Sequence, residues 1–189
     1  KSLDDIQGLK IRFAGLGGLV VERLGASVTM IAGGEIFQAL EKGAIDAAEY
    51  SLPSVDAAHG FDRIAKINYF PGWHQPFTAA HLMVNKATWD ALYPAQKTII
   101  EMSCTAGVTR NLARSEGLQG EILATYENRG ITASRFPDSV LRKLNQVSAE
   151  VLAEEARRDV DFRIIHESQL QFRKSYAHWK KLAYLPRDF

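Results

Sequence analysis

The chain has 189 residues, 46% hydrophobic and 24% charged, and its 23 Lys and Arg against 22 Asp and Glu leave a net charge of +1. Such a chain can bury the core of one large domain or parts of two, and the even scatter of charge leaves no basic stripe for nucleic acid. No apolar run approaches the roughly 18 residues that span a bilayer, and the single cysteine, Cys104, excludes a disulfide within the chain and any multi-cysteine zinc site.

Lys1 to Gly8 has neither an initiator Met nor the apolar core of a signal peptide, so we expect the chain to begin inside a longer sequence. Leu9 to Phe13 reads as a short strand, Gly15 to Gly18 as a turn, Leu19 to Leu24 as a helix stopped by Gly25, and Val28 to Ala32 as a second strand. The run from Gly33 to Tyr50 then encodes a helix over Glu35 to Lys42, with acidic Glu35 at its positive end. Ile36, Phe37 and Leu40 share one face, and Gly43 is free to take a left-handed cap. Ala44 to Ala48 is a small-residue strand suited to burial in a parallel sheet, which leaves Glu49 and Tyr50 at its carboxyl end. In open α/β sheets that edge is where small ligands bind. Arg12 stands at the carboxyl end of the first strand, on the same edge, where a guanidinium can take both oxygens of a carboxylate as a planar fork. The competing readings are a solvated surface arginine and a plain Arg12-Glu49 ion pair.

A helix over Val55 to Gly60 and a strand over Ile64 to Tyr69 follow, and strand-helix alternation this far argues for a mostly parallel α/β sheet. Phe70-Pro-Gly-Trp-His-Gln-Pro76 breaks the pattern with a loop in which Phe70 and Trp73 can either wall a pocket or plug the core. His74 has no i, i+4 histidine partner, which argues against zinc. Thr78 to Val84 reads as a strand, Asn85 as a turn former, and Lys86 to Arg129 as helix interrupted near Tyr93-Pro94, with Gly130 as its stop. Leu92, Ile99, Met102, Ala106 and Leu112 fall on one helical face, and Cys104 reads as a buried small hydrophobe. Ile131 to Phe136 is one more strand. Pro137-Asp138 opens a helix to Arg158, and a last helix over Asp161 to Tyr184 carries Phe162, Ile165, Leu170, Phe172, Tyr176 and Trp179, able to pack on its own core or against another copy.

Taken in order, Gly8-Leu-Lys-Ile-Arg12, the Gly-Gly-Glu-x-x-Gln-Ala-Leu-x-x-Gly-x-x-Asp-x-x-Glu run from Gly33 to Glu49, and Met83-Val-Asn-Lys86 resemble the solute-binding receptors of tripartite ATP-independent periplasmic (TRAP) transporters, the dicarboxylate-binding type. Phe70-Pro-Gly-Trp-His-Gln75 is similar to the branch that takes 2-oxo acids and related monocarboxylates. The resemblance implies a two-lobed type II periplasmic binding fold of α/β class, from which the first lobe is missing here. Residues 1–77 would form the second lobe with its ligand-facing sheet edge. Residues 78–130 would form a hinge-crossing strand and long helix, and residues 131–189 a returning strand and scaffold helices. It also implies a periplasmic, non-catalytic receptor that hands a small organic acid to integral membrane permease subunits, with no nucleic acid and no organic cofactor, and with a homodimer left open.

The same resemblance implies that Arg12 clamps the substrate carboxylate, with Tyr50 and Trp73 also at the ligand. A cation between the lobes, sodium or calcium, would be held by Glu49, the main-chain carbonyl of Tyr50 and Gln75. Oxygen donors of this kind suit hard cations, and the cation would offset the charges of Glu49 and an anionic substrate. Tyr50 departs from the tryptophan of the family pattern, which bears on pocket size and not on a carbonyl ligand. A fragment without its first lobe is expected to bind the acid weakly.

Two other classes compete. The effector domain of a transcription regulator uses a similar fold at this length, but needs a helix-turn-helix ahead of residue 1. A nucleotide-dependent oxidoreductase would need the dinucleotide fingerprint that Gly15-x-Gly17 begins and Val20 breaks.

Overall fold

The computed structural model describes residues 2–185, so residue 1 and residues 186–189, which end the first and third expected segments, lie outside the described residues. A central strand β1 (Lys10–Arg12) pairs in parallel with β2 (Ser27–Thr29) on one side and β3 (Ala47–Ala48) on the other. Arg12 is opposite both Thr29 and Ala48, so the three carboxyl ends form one edge. Just past that register, the Phe13 N–H donates to the Thr29 carbonyl at 3.2 Å and the Glu49 N–H to the Arg12 carbonyl at 2.9 Å. The β3 strand is shorter than its small-residue run predicts. The N–H groups of Ala44 and Ile45 turn back to the Ala39 carbonyl, closing the preceding helix α2 (Ile36–Glu41) before the ladder starts.

Helix α1 (Gly15–Arg23) begins four residues earlier than the expected Leu19, so the glycine run is its first turn and not a separate one. Close packing outweighs the poor helix propensity of glycine. Gly17 and Gly18 are buried, and a Cβ on Gly18 would meet the Phe13 carbonyl and Val28 at 3.3 Å each. On its outer side α1 packs against α6 (Asp138–Arg158), which presents Val140, Leu144, Val147 and Val151 at helical spacing. These four join Phe13, Val20, Val21 and Ala26 in the main core. A charge-paired contact, Arg23 to both oxygens of Glu154 at 2.9 and 2.6 Å, fastens the rim of the same interface. A second, smaller core gathers Ile36, Ile45 and Phe61 under α2 and α3 (Pro53–Ala58).

Strands β4 (Ile67–Phe70) and β5 (Thr132–Arg135) pair in parallel as a separate two-stranded sheet instead of extending the first. The strand expected over Thr78 to Val84 is not formed. A strand needs a ladder partner, none is present among the described residues, and Phe77, Leu82 and Met83 stand exposed. Asn85 accepts from the N–H groups of Ala87 and Thr88 at 2.9 and 3.3 Å, capping α4 (Lys86–Ala91). Leu92 and Tyr93 are extended, and Pro94 restarts the chain as α5 (Pro94–Ala124), which ends five residues before the expected Arg129. Gly130 takes the left-handed conformation at φ 64° after a short 3-10 turn.

The apolar row of α5 is exposed, with Ile99, Met102 and Leu112 at 64, 67 and 59%. Cys104 is exposed with it, and is not the buried hydrophobe its mid-helix place predicts, because no residue of α5 is buried. The aromatic row of α7 (Val160–Leu182) is likewise uncovered at Phe172 and Trp179. Among the described residues no helix is long and apolar enough to cross a membrane.

Candidate functional site

The sheet edge at the ends of β1 and β3 holds a buried guanidinium and a half-buried carboxylate. Arg12 leaves β1 with its side chain only 7% exposed, far from the solvated arginine that composition alone favours. Its Nη1 donates to the Glu49 carbonyl at 2.6 Å and to Glu49 Oε2 at 3.0 Å, and its Nε to the Ile31 carbonyl at 3.3 Å. Nη2 makes no hydrogen bond among the described residues, which leaves one face of the fork for another acceptor.

Glu49 is held from three sides. Oε2 accepts from Arg12 and from the Ala14 N–H at 3.2 Å, and Oε1 accepts from His74 Nε2 at 3.2 Å. Burial alone would raise its pKa. The hydrogen bonds from His74 and Ala14 and the charges of His74 and Arg12 outweigh it and hold the carboxyl below the ordinary value. Glu49 is therefore an ionised acceptor, and that assigns the proton to Nε2 of His74.

Tyr50 lies between this pair and the second core. Its ring is edge-on to His59 and Phe61, each at 5.2 Å, and the Arg12 guanidinium sits 5.7 Å from its centroid. Gly33 is required beneath it, since a Cβ there would come within 2.8 Å of the ring and hydroxyl. The Tyr50 carbonyl accepts no hydrogen bond from the described residues, so it remains a free oxygen donor beside Glu49.

Trp73 is half-buried, 5.8 Å from Phe13 and 5.3 Å from His74, and packs on the main core. Its placement fits a plug over that core at least as well as a pocket wall. Gln75 is exposed. Its amide nitrogen donates to Thr78 Oγ1 at 2.7 Å and it makes no hydrogen bond to Glu49 or Tyr50. The structure thus brings Arg12, Glu49 and Tyr50 together and leaves Gln75 out on its loop. Sequence reasoning missed His74 as a partner of Glu49, and its only signal was Gly17. A Cβ at Gly17 would stand 3.2 Å from the His74 ring and would also clash with Phe13.

The donors that the structure places at this edge are a carboxylate and a free carbonyl, the chemistry of a hard-cation site and not of a transition metal. Among the described residues no cluster of three or more His, Cys, Asp or Glu offers an alternative metal site.

Residues 1–159 match the family model described as DctP, bacterial extracellular solute-binding protein, family 7. The chain is 32% identical over 182 residues to the monocarboxylate 2-oxoacid-binding periplasmic protein of Nostoc sp., covering 96% of this chain and 50% of that protein. Among solved structures it is similar to a TRAP transporter solute-binding protein from Bordetella bronchiseptica, a mixed-occupancy dimer with copurified calcium and picolinate. Identity is 33% and the TM-score 0.88, with 97% of this chain and 55% of that one covered. A TRAP periplasmic solute-binding protein from Colwellia psychrerythraea with bound calcium and pyruvate gives 32%, 0.87, and coverage of 97 and 56%. One from Pseudoalteromonas atlantica with bound sodium and pyruvate gives 31%, 0.86, and the same coverage. The chain spans about half the length of these relatives. Its fold is that of the TRAP periplasmic binding proteins.

Proposed function

Because the chain belongs to the bacterial extracellular solute-binding proteins of family 7, we propose that it serves a TRAP-type transporter as the ligand-holding part of a periplasmic receptor. The receptor carries a 2-oxo acid or related small carboxylate to membrane permease subunits and catalyses nothing. The observation that carries this reading is the buried Arg12 at the sheet edge, with one nitrogen of its fork unspent and an ionised Glu49 beside it. Arg12 takes the substrate carboxylate. Glu49, the Tyr50 carbonyl and, once its loop closes in, the amide oxygen of Gln75 hold sodium or calcium, while Tyr50 and Trp73 flank the ligand. A cation bound there supplies the positive charge that lets an anionic substrate approach Glu49.

Residues 1–77 act as the lobe that presents the site, residues 78–130 as the segment crossing to the facing lobe, and residues 131–189 as the returning scaffold. Closure of lobes over a ligand is a known switching mode, in which the ligand's differential contacts set the closed population.

The test is calorimetric titration of pyruvate into the protein expressed from its native gene, chelator-treated and then supplied with calcium or sodium. Binding that needs a cation and weakens at least tenfold in Arg12→Lys is expected, because lysine keeps the charge but cannot hold the Ile31 and Glu49 oxygens and still offer a second, free nitrogen to the substrate. Binding that is indifferent both to cation and to Arg12→Lys overturns the reading.

A further inference from the structure

We infer that His74 is the positioning residue of the Glu49 cation site, holding Oε1 so that one lone pair of that oxygen stays available to a cation. The inference rests on the cation reading proposed above and deepens it.

It follows from counting acceptors. An ionised carboxylate has about four lone-pair sites, two on each oxygen. On Glu49 Oε2 both are taken, by Arg12 Nη1 at 3.0 Å and by the Ala14 N–H at 3.2 Å. On Oε1 one is taken, by His74 Nε2 at 3.2 Å. A single site remains, on Oε1, so the carboxylate can meet a cation only through that oxygen, and the direction it faces is set by the imidazole.

The imidazole is itself a built part of the fold. Its side chain is 17% exposed. It stands edge-on to Phe13 at 4.8 Å, with Trp73 at 5.3 Å on another side. Gly17 of α1 gives it room, since any Cβ there would press on the ring. Phe13 in turn belongs to the main core and directly follows the strand that carries Arg12. The orientation of Oε1 is thus traceable through His74 and Phe13 to the packing of α1 against Phe13 and β2. Carboxylates that bind metals are commonly oriented by such hydrogen-bond partners, and losing one typically weakens metal affinity about 10- to 100-fold.

The experiment measures calcium affinity by calorimetry, in the presence of pyruvate, on the protein expressed from its native gene and on two variants. His74→Phe keeps a ring of similar shape against Phe13 and Trp73 but has no donor. His74→Gln restores an N–H donor without the ring. Melting temperatures are recorded alongside, so that a variant that fails to fold is recognised. The expected result is a loss of calcium affinity of about 10- to 100-fold in His74→Phe, recovered in large part in His74→Gln. Unchanged calcium affinity in folded His74→Phe overturns the inference and leaves the cation reading standing. A His74→Gln no better than His74→Phe also overturns it, since the ring and not its donor would then matter. A wild-type protein that binds neither calcium nor sodium overturns the cation reading itself, and this inference with it.

Discussion

Asp56 on α3 carries a charge in a place that does not suit one, and this sets a measurable pH dependence. It shares a cavity of ≈ 80 Å³ with Tyr50, Asp62, Asn68 and Tyr126. Neither Asp56 Oδ1 nor Asp62 Oδ1 has a hydrogen-bond partner. Burial is the main cause that pushes the Asp56 carboxyl from 3.8 up to about 6. The negative charges of Glu49 and Asp62 add to it, and the Ser51 N–H and His59 oppose them. A carboxyl raised on folding binds more protons in the native chain than in the unfolded one between those two values. Stability therefore falls as pH rises through that window and levels off above about 6.

At about 1.4 kcal/mol per unit the whole shift corresponds to about 3 kcal/mol, and because solvent reaches part of the side chain we take about 2 kcal/mol. Asp56→Asn removes the titration while keeping the shape. The stability of wild type relative to Asp56→Asn should therefore drop by about 2 kcal/mol between pH 4 and pH 7, or about 4 to 8 °C in melting temperature for a chain of this size. Urea unfolding followed by tryptophan fluorescence at four pH values across that range gives the difference directly. A difference between the two proteins that stays constant with pH would refute the account, since any loss of packing at the site is present at every pH.

Two further substitutions test how the site is supported. Gly17→Ala should destabilise the protein by about 1 to 3 kcal/mol through overpacking against Phe13 and His74, and should weaken calcium binding together with it. Thermal melts and calorimetry read the two effects, and a neutral Gly17→Ala would show that the α1 approach is slack. Leu144→Ala, at a position 2% exposed in the α1-α6 interface that backs Phe13, should cost about 2 to 5 kcal/mol in urea unfolding and weaken calcium binding along with it.

The parts of the site that were legible beforehand are those fixed by strand geometry. Arg12 ends a strand and Glu49 follows another. Two parallel strands in one register bring their carboxyl ends to one edge whatever happens elsewhere, so position along the chain was enough. Gln75 and Trp73 lie on a loop whose path depends on contacts many residues away, and there the chain pattern had little hold. For His74 the spacing of the other histidines argued against zinc and pointed to no other partner. Its partner is a carboxylate 25 residues earlier, a pairing that no local spacing records.

The long helices make the opposite case. Periodicity found the apolar rows of α5 and α7 because a row is a property of the helix itself. It carried no information on what covers them, and in this chain Met102, Ile165 and Trp179 are all more than half exposed. The contrast with α6 is direct. Its row has the same spacing, yet Val140, Leu144, Val147 and Val151 are each below 5% exposure, because α1 offers a facing surface whose glycines let it lie close on Phe13 and β2. Burial of a helix face is a property of two surfaces. For α6 both belong to this chain, so its row serves to hold Phe13, and through Phe13 the imidazole and carboxylate of the site, in one place.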